Sequence, residues 1–394
     1  MYRVRDDYRR SQVAIAALFC CLGFQYATWV SRIPALKTRL DLSEAQLGLL
    51  LMVCGAGAAV SFPLVAVLTR RLGSRRLAII SALGLGAVLL ALSVTPNYPV
   101  TLLIAGCDGI AVGCLNVAMN AQAAALEVKY ERTTMAKMHA TFSAGSLFAA
   151  LLASGVTSLS TALPTHFVTA TALLAALVLG ASGGLLTDDP PPGAPADSPA
   201  EPLTAKKPRG LTLPTRVTIW MGLAMAFGTV TEGAMNDWSA LYLKDVAGAA
   251  AQLAPLGIAV VSVMMVLARL FADGWRTKWG DDRIVRIGSA LAGAGLALAL
   301  LVGGVVPALL GFACVGLGIA AVTPCVYVAA ARQGSEALAL VAAMGTTGLL
   351  AGPAVIGFVA EATGLAWGMG AVAASALLVS ACSTRIRFPT LAEV

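Results

Sequence analysis

The longest uncharged stretches of this chain leave few choices for its fold. Residues 101–127 contain one internal charge, Asp108, and residues 341–361 contain none before Glu361. A helix of about 20 apolar residues crosses the hydrocarbon core of a bilayer, whereas barrel strands alternate apolar and polar residues over about ten residues. These stretches are too long for such strands and lack the alternation. The 394-residue chain is also only 12% charged, about half of what soluble domains carry. The sequence therefore predicts an all-α membrane protein.

Charged and Pro/Gly-rich breaks divide the apolar runs into twelve predicted transmembrane helices. The boundary at 306/307 is the weakest, because only Gly303, Gly304 and Pro307 mark it. The predicted segments are 12–34, 45–68, 77–95, 100–126, 138–160, 164–186, 215–243, 252–272, 284–306, 307–331, 337–362 and 365–384.

The basic residues give this arrangement an orientation. Lys and Arg accumulate in cytoplasmic loops, and a cytoplasmic N-terminus places 23 of the 27 basic residues inside. The four that remain outside are Arg32, Lys37, Arg39 and Lys244. We therefore expect a multi-pass protein of the inner cell membrane with both termini in the cytoplasm. The net charge of +7 follows from this asymmetry, so no nucleic-acid partner is expected.

A hydrophilic stretch at 187–214 separates the first six predicted helices from the last six. Eight of its 28 residues are proline, a composition typical of extended linkers. We therefore predict an N-terminal six-helix bundle at 1–186, a cytoplasmic linker at 187–214 and a C-terminal six-helix bundle at 215–394.

The two halves also show an internal repeat at an offset of 209 residues. Trp29 falls on Trp238, Gly109 on Gly318, and several other glycines are matched. A shared pattern over helices 1 to 5 of each half predicts two bundles related by pseudo-symmetry. Small residues at these positions also let membrane helices approach closely.

The eight cysteines lie inside apolar runs and form no CxxC pair, so neither a metal nor a disulfide framework is predicted. The two histidines, His139 and His166, are far apart in sequence, and no catalytic Ser/Lys pair or nucleotide-binding motif is evident. We therefore predict no cofactor, no metal and no enzymatic activity.

Six plus six helices, a parallel repeat and a central linker resemble the major facilitator superfamily. Residues 66–76, AVLTRRLGSRR, resemble its G-x-L-A-D-R-x-G-R-R signature, with Arg70 in the acidic position. The resemblance implies gating roles for Arg70, Arg71 and Arg75. Four further stretches resemble the YbjJ-like and fucose-permease-like branch of that superfamily. They are 29–37, 116–127, 138–145 and 232–239.

In the second half, the resemblance implies gating roles for Arg269 and Asp273. It also implies a solute cavity at the bilayer midplane, between two halves that alternate in access.

Ionisable residues within predicted spans are candidates for function, because each is costly in the bilayer. Asp108 lies in helix 4 among apolar neighbours, and Glu232 lies in helix 7. We predict that both couple transport to proton binding, although an interhelical hydrogen bond is the alternative for Asp108. Asp237 lies closer to the outer surface, where a capping or pairing role is the alternative. His139, at the start of helix 5, is either a proton relay or a helix-end residue.

The resemblance implies that helices 1, 4, 7 and 10 line the cavity, so polar and aromatic side chains on these helices are predicted to bind the solute. An indole face suits sugar stacking, although Trp29 also fits an interfacial aromatic belt, and Arg32 beside it is a gate or an anchor. The predicted solute-binding residues are Gln25, Tyr26, Trp29, Asn116, Asn120, Asn236, Trp238 and Tyr327.

These features favour a proton-coupled secondary transporter of a small polar solute, with a sugar or sugar derivative as one option. Its expected partners are the solute, protons and membrane lipids, and a monomer is expected. An efflux antiporter for amphipathic compounds and a non-transporting receptor or scaffold of the same fold are the alternatives. Helix 5 contains no proline between Thr141 and Gly155, which counts against the antiporters that carry a Gly/Pro motif there.

Overall fold

A computed structural model describes residues 2–130, 132, 134–187, 215–386 and 388. Within these ranges the fold is helical and contains no strand. The helices are α1 (Tyr2–Val30), α2 (Ile33–Leu40), α3 (Glu44–Val94), α4 (Tyr98–Tyr130), α5 (Met135–Leu159), α6 (Leu163–Ser182), α7 (Arg216–Asp245), α8 (Leu256–Trp279), α9 (Asp281–Val302), α10 (Val305–Ile319), α11 (Val322–Arg332), α12 (Ser335–Thr363) and α13 (Leu365–Ser383).

Most of the predicted helices are found, and two elements differ from the segments expected from sequence. Predicted helices 2 and 3 are the two parts of α3, which are separated by a break in helical geometry at Gly73, where φ is 75° and ψ is 157°. Glycine takes up a positive φ without the steric cost of a Cβ atom. Predicted helix 10 consists of α10 and α11, and the short helix α2, with Pro34 in its first turn, was not foreseen.

Ten helical segments in the described ranges are long and apolar enough to cross a membrane. The remaining two predicted spans correspond to α7, which carries Glu232 and Asp237, and to α8, whose apolar part is Leu256–Ala272. The break between predicted helices 9 and 10 falls at Gly303 and Gly304, earlier than 306/307. Both glycines have positive φ, so the pair ends one helix and begins the next.

The chain divides into two compact units. Unit 1 contains Met1–Leu42, Leu50–Asp197 and Ala251–Ala259, and unit 2 contains Ser43–Leu49, Ser198–Ala250 and Val260–Val394. Most of the linker predicted at 187–214 lies outside the described residues. The domain boundaries expected at 186 and 215 stay a prediction.

Corresponding helices pair in the same way inside each unit. In unit 1, α1 packs against α5, where the Ser146 hydroxyl donates to the Gly23 carbonyl at 3.1 Å. In unit 2, α7 packs against α12, where the Thr229 hydroxyl donates to the Gly345 carbonyl at 2.8 Å. Glycines and hydroxyl groups are typical of close contacts between membrane helices. The first and fifth spans of each half thus share one packing scheme, as the predicted repeat requires.

The third and sixth spans also pair inside each unit. The Thr171 hydroxyl of α6 donates to the Gly86 carbonyl of α3 at 3.1 Å. The Ser380 hydroxyl of α13 donates to the Arg286 carbonyl of α9 at 2.8 Å. The contacts of the first and fifth spans hold α1 inside unit 1 and α7 inside unit 2, the two helices that carry Gln25 and Glu232.

Candidate functional site

Asp108 lies at a junction of three helical segments in unit 1. Its side chain is 2% exposed. One carboxylate oxygen accepts from the Gln25 amide of α1 at 2.8 Å, and the other accepts from the Cys54 thiol of α3 at 3.3 Å. Both described donors are neutral, and no ion pair joins this buried carboxyl group to a cation in the described part of the chain. The sequence foresaw Asp108 and Gln25 separately, and the structure brings them together.

Backbone contact between α3 and α4 creates this junction. A Cβ atom on Gly109 would overlap the Cys54 carbonyl oxygen and would come within 2.8 Å of the Ala58 nitrogen. One turn further along α4, a Cβ atom on Gly113 would overlap the Ser61 hydroxyl. The Gly109–Gly113 spacing is the small-xxx-small pattern of close membrane-helix crossings. The glycine beside Asp108 therefore brings the Cys54 thiol within reach of its carboxylate.

The Gln25 side chain has one hydrogen-bonding group unused. Its amide nitrogen serves Asp108, while its oxygen, which is buried, has no partner among the described residues. One turn along α1, Trp29 is 3% exposed, and its indole N–H is likewise unpaired within the described residues. The face of α1 near Asp108 thus holds two unsatisfied polar atoms. Tyr26 between them is partly exposed.

Arg32 is buried, although the sequence placed it at or beyond the outer end of helix 1. It is 3% exposed, and it donates to the Thr157 hydroxyl and the Thr161 carbonyl at the end of α5. These bonds favour the anchor interpretation over the gate. His166 of α6, which interacts electrostatically with Arg32, is fully buried, and neither ring nitrogen has a partner among the described residues.

Glu232 has a cation beside it, unlike Asp108. Arg269 of α8 lies 3.2 Å from a carboxylate oxygen of Glu232 on α7, and both side chains are partly exposed. The sequence analysis predicted proton coupling for Glu232 and gating for Arg269 independently. The structure shows that these two residues contact each other. Asn236, one turn further along α7, donates to the Glu232 backbone carbonyl at 3.0 Å.

Three other residues of unit 2 that the sequence singled out, the predicted solute-binding Trp238 and Tyr327 and the possible capping residue Asp237, lie in different surroundings. Trp238 is fully buried, and its indole N–H has no partner among the described residues, as is also true of Trp29. Asp237 is 6% exposed. Tyr327 of α11 is partly exposed. The two tryptophans matched by the predicted repeat therefore have the same burial and the same unsatisfied donor.

Asn116 and Asn120 pair with each other along α4. The Asn120 amide donates to the Asn116 side-chain oxygen at 2.7 Å and to the Asn116 carbonyl at 2.8 Å. Asn116 is exposed, whereas Asp108, on the same helix, is buried. The two asparagines therefore form a polar patch separate from the contacts of Asp108.

The predicted gating residues differ in their exposure and in their contacts. Arg75 donates to the Ser182 carbonyl at the end of α6 at 3.0 Å, where a helix favours a positive charge. Arg70 and Arg71 are exposed. The side chain of Asp273 lies outside the described residues. His139 is exposed, and its ring meets Phe19 edge-on at 5.2 Å.

Two polar residues that the sequence analysis passed over have structural partners. Cys54 reads as one more small apolar residue in its run, and only its contact with Asp108 distinguishes it. Gln122 is fully buried, and it bonds the Ser74 hydroxyl and both backbone groups of Leu186. The sequence signal that could have identified Gln122 is its position as a single side-chain amide in a locally apolar stretch. The described residues contain no cluster of His, Cys, Asp or Glu that would hold a metal.

Comparison with known proteins decides the family. A profile of the Major Facilitator Superfamily matches residues 13–336. The chain belongs to the major facilitator superfamily. It is 33% identical over 383 residues to an uncharacterized MFS-type transporter of Yersinia pestis, covering 95% of each chain. It is also 30% identical over 377 residues to the membrane protein MosC of Rhizobium meliloti, covering 94% of this chain and 88% of that one.

Solved structures of the superfamily share the fold. A point mutant of the nucleoside transporter NupG superposes with a TM-score of 0.72 at 16% identity, covering 97% of this chain and 100% of that one. A bacterial homolog of the human lysosomal transporter Spinster gives a TM-score of 0.70 at 16% identity, covering 96% of each chain. The predicted all-α, twelve-helix major facilitator fold is therefore confirmed. The protein is a multi-pass membrane transporter and not an enzyme.

Proposed function

We propose that this transporter couples the movement of a small polar solute to protons, by alternating access, and that Asp108 is the proton-binding group. The observation that carries the proposal is the pair of hydrogen bonds to Asp108 from Gln25 and Cys54 at 2.8 and 3.3 Å. A charged carboxylate inside a bilayer is costly, and neutralisation removes that cost. Because both donors are neutral, protonation of Asp108 breaks no ion pair and leaves no cation without a partner.

Gln25 is suited to serve both protonation states of Asp108. With the carboxylate charged, the amide nitrogen donates to it, and the amide oxygen has no partner among the described residues. Once Asp108 binds a proton, rotation of the amide presents that oxygen as an acceptor for the new O–H. The same two side chains therefore bond in either state, and the proton changes which group donates.

Glu232 and Arg269 supply a second ionisable element, in unit 2. Protonation of Glu232 would release Arg269, since their ion pair of 3.2 Å depends on the carboxylate charge. Both side chains are partly exposed, so the free energy of this pair is small. Such a contact is easily broken and re-formed in a transport cycle.

The proposed class of solute rests on two tryptophans, Trp29 and Trp238. Trp29 and Trp238 each hold a buried indole N–H without a partner among the described residues, and leaving such a donor unsatisfied costs about 1–3 kcal/mol. A solute hydroxyl would satisfy it in a conformation that exposes the ring, whose flat face also suits a sugar. This chemistry agrees with the YbjJ-like and fucose-permease-like resemblance, and we place the protein in the inner membrane on that basis.

Transport into proteoliposomes tests the proposal directly. Labelled sugars, nucleosides, organic acids and amphipathic cations would be offered with and without an inward proton gradient. We expect a polar solute to accumulate only with the gradient. Asp108→Asn should reduce gradient-driven uptake to the level of empty liposomes while solute exchange persists, because the amide keeps the side-chain shape but binds no proton.

Asp282→Asn is the matched control, because Asp282 is an exposed carboxylate at the start of α9. It should transport like the wild type. Gradient-driven uptake at the wild-type rate by Asp108→Asn would remove Asp108 from the coupling mechanism. Gradient-driven extrusion of amphipathic cations alone would favour the efflux alternative, and solute binding without movement would favour a receptor.

A further inference from the structure

A groove in unit 2 is lined by none of the candidate solute-binding, proton-coupling or gating residues. It has a volume of about 540 Å³ and is lined by α8, α9 and the end of α10. Its floor is a close crossing of α9 and α10, where a Cβ atom on Gly288 would come within 2.5 Å of the Gly318 carbonyl oxygen. Ala268 and Ala272 form the α8 wall. The depth of the groove therefore comes from small residues on all three helices.

Large aromatic and basic side chains border the groove at one end. Trp275 and Trp279 line it and stack on each other, with ring centroids 6.2 Å apart and planes 22° apart. Trp279 is 47% exposed. Tryptophan is enriched where the hydrocarbon core meets the headgroups, because its ring is apolar and its N–H is polar. The stacked pair therefore marks a membrane–water boundary.

The cations at this end are not equally available. Arg276 forms two hydrogen bonds with Asp281, at 2.8 and 3.0 Å, and so is already paired. Arg283 lines the groove, is exposed and has no carboxylate partner among the described residues. Lys278 is also exposed, and its ammonium lies 5.6 Å from the centre of the Trp279 ring. Positive charge is therefore available at the mouth of an apolar groove.

We infer that this groove binds one anionic phospholipid of the surrounding bilayer, with an acyl chain against the small residues and its phosphate at Arg283. The α8–α9 turn is predicted to be cytoplasmic from the distribution of basic residues. The cytoplasmic leaflet carries anionic lipids, and basic pockets between transmembrane helices on that side bind their headgroups. The inference needs no solute and does not rest on Asp108 or proton coupling.

Tryptophan quenching by brominated lipids tests the site. The full-length protein would be reconstituted in phosphatidylcholine that contains either brominated phosphatidylglycerol or brominated phosphatidylcholine at equal mole fraction. We expect stronger quenching by the anionic lipid, and loss of that excess in the double variant Trp275→Phe, Trp279→Phe. Trp367→Phe is the control, since Trp367 is 70% exposed on α13 and should report ordinary lipid contact only.

Two further variants separate the headgroup from the chain. Arg283→Gln should weaken the preference for the anionic lipid about fivefold, the effect of one basic residue near a membrane surface. Ala272→Leu should fill the groove and lower quenching by both lipids. Equal quenching by the two lipids in the wild type, or no change in Arg283→Gln, would overturn the inference. So would shielding of both tryptophans by a second copy of the chain.

Discussion

Arg32 is a charged residue buried in the interior of unit 1. Among the described residues, it donates hydrogen bonds to oxygen atoms of uncharged groups. The Thr157 hydroxyl and Thr161 carbonyl bind two of its nitrogens, and its Nε has no partner in the described part of the chain. A guanidinium spreads its donors over a rigid fork, which lets it bond both oxygens at once. The same side chain therefore ties the end of α1 to the end of α5.

This geometry predicts that lysine cannot replace Arg32. Arg32→Lys keeps the charge but bonds only one of the two oxygens well, so we expect a loss of about 1.5–3 kcal/mol in the free energy of unfolding. Thermal unfolding in one fixed detergent would measure it. Arg76→Gln is the control, because Arg76 is exposed, and it should unfold at the wild-type temperature. An unchanged midpoint for Arg32→Lys would remove the anchoring role.

At the scale of helices, glycine contacts set the distance between polar groups. Gly109 lies against the α3 backbone beside Cys54, and Asp108 is its neighbour along α4. Any side chain at position 109 pushes α3 and α4 apart, and the Cys54–Asp108 hydrogen bond lengthens with them. Helix packing and the chemistry of the candidate site thus depend on the same residue.

Gly109→Ala is therefore expected to lower both stability and transport. Overpacking a close contact costs about 1–3 kcal/mol, and the displaced thiol no longer supports Asp108. Gly155→Ala provides the comparison, since a Cβ atom there meets nothing within 4 Å, and alanine is the better helix former. Melting temperature and initial uptake rate, measured on the same preparations, would distinguish the two variants. Equal melting temperatures would show that α3 and α4 tolerate separation.

For the whole molecule, the distribution of basic residues predicts orientation. The loops expected inside and the adjoining helix ends hold 23 of the 27 Lys and Arg residues, and such an excess faces the cytoplasm. Reporter fusions to truncated chains would locate each loop. Alkaline phosphatase is active only outside the cytoplasm, whereas a fluorescent protein becomes fluorescent inside it. We expect phosphatase activity after Asn97 and Gly248, and fluorescence after Arg132 and Gly280. The reverse pattern, or one compartment for two successive loops, would contradict the topology.

The sequence alone determined the features that depend on local physics. Apolar length predicts spanning helices because bilayer thickness fixes how many residues a span needs, and a lone carboxylate such as Asp108 is conspicuous because its burial is costly. The six-plus-six arrangement followed from the linker and the repeat, and the family comparison confirmed the fold. The break between predicted helices 2 and 3 falls at Gly73, inside the loop expected at 69–76. The short helix α2 was not predicted, because its eight residues are too few to cross a bilayer.

Only the tertiary structure decided which polar groups meet. Gln25 lies 83 residues from Asp108 in sequence, and Cys54 lies 54 residues away, so their contact depends on how α1, α3 and α4 pack. The Glu232–Arg269 ion pair and the burial of Arg32 likewise arise between helices. Hydropathy reports the solvent that each helix requires, whereas the partner of a buried side chain is set by the rotation and crossing of neighbouring helices.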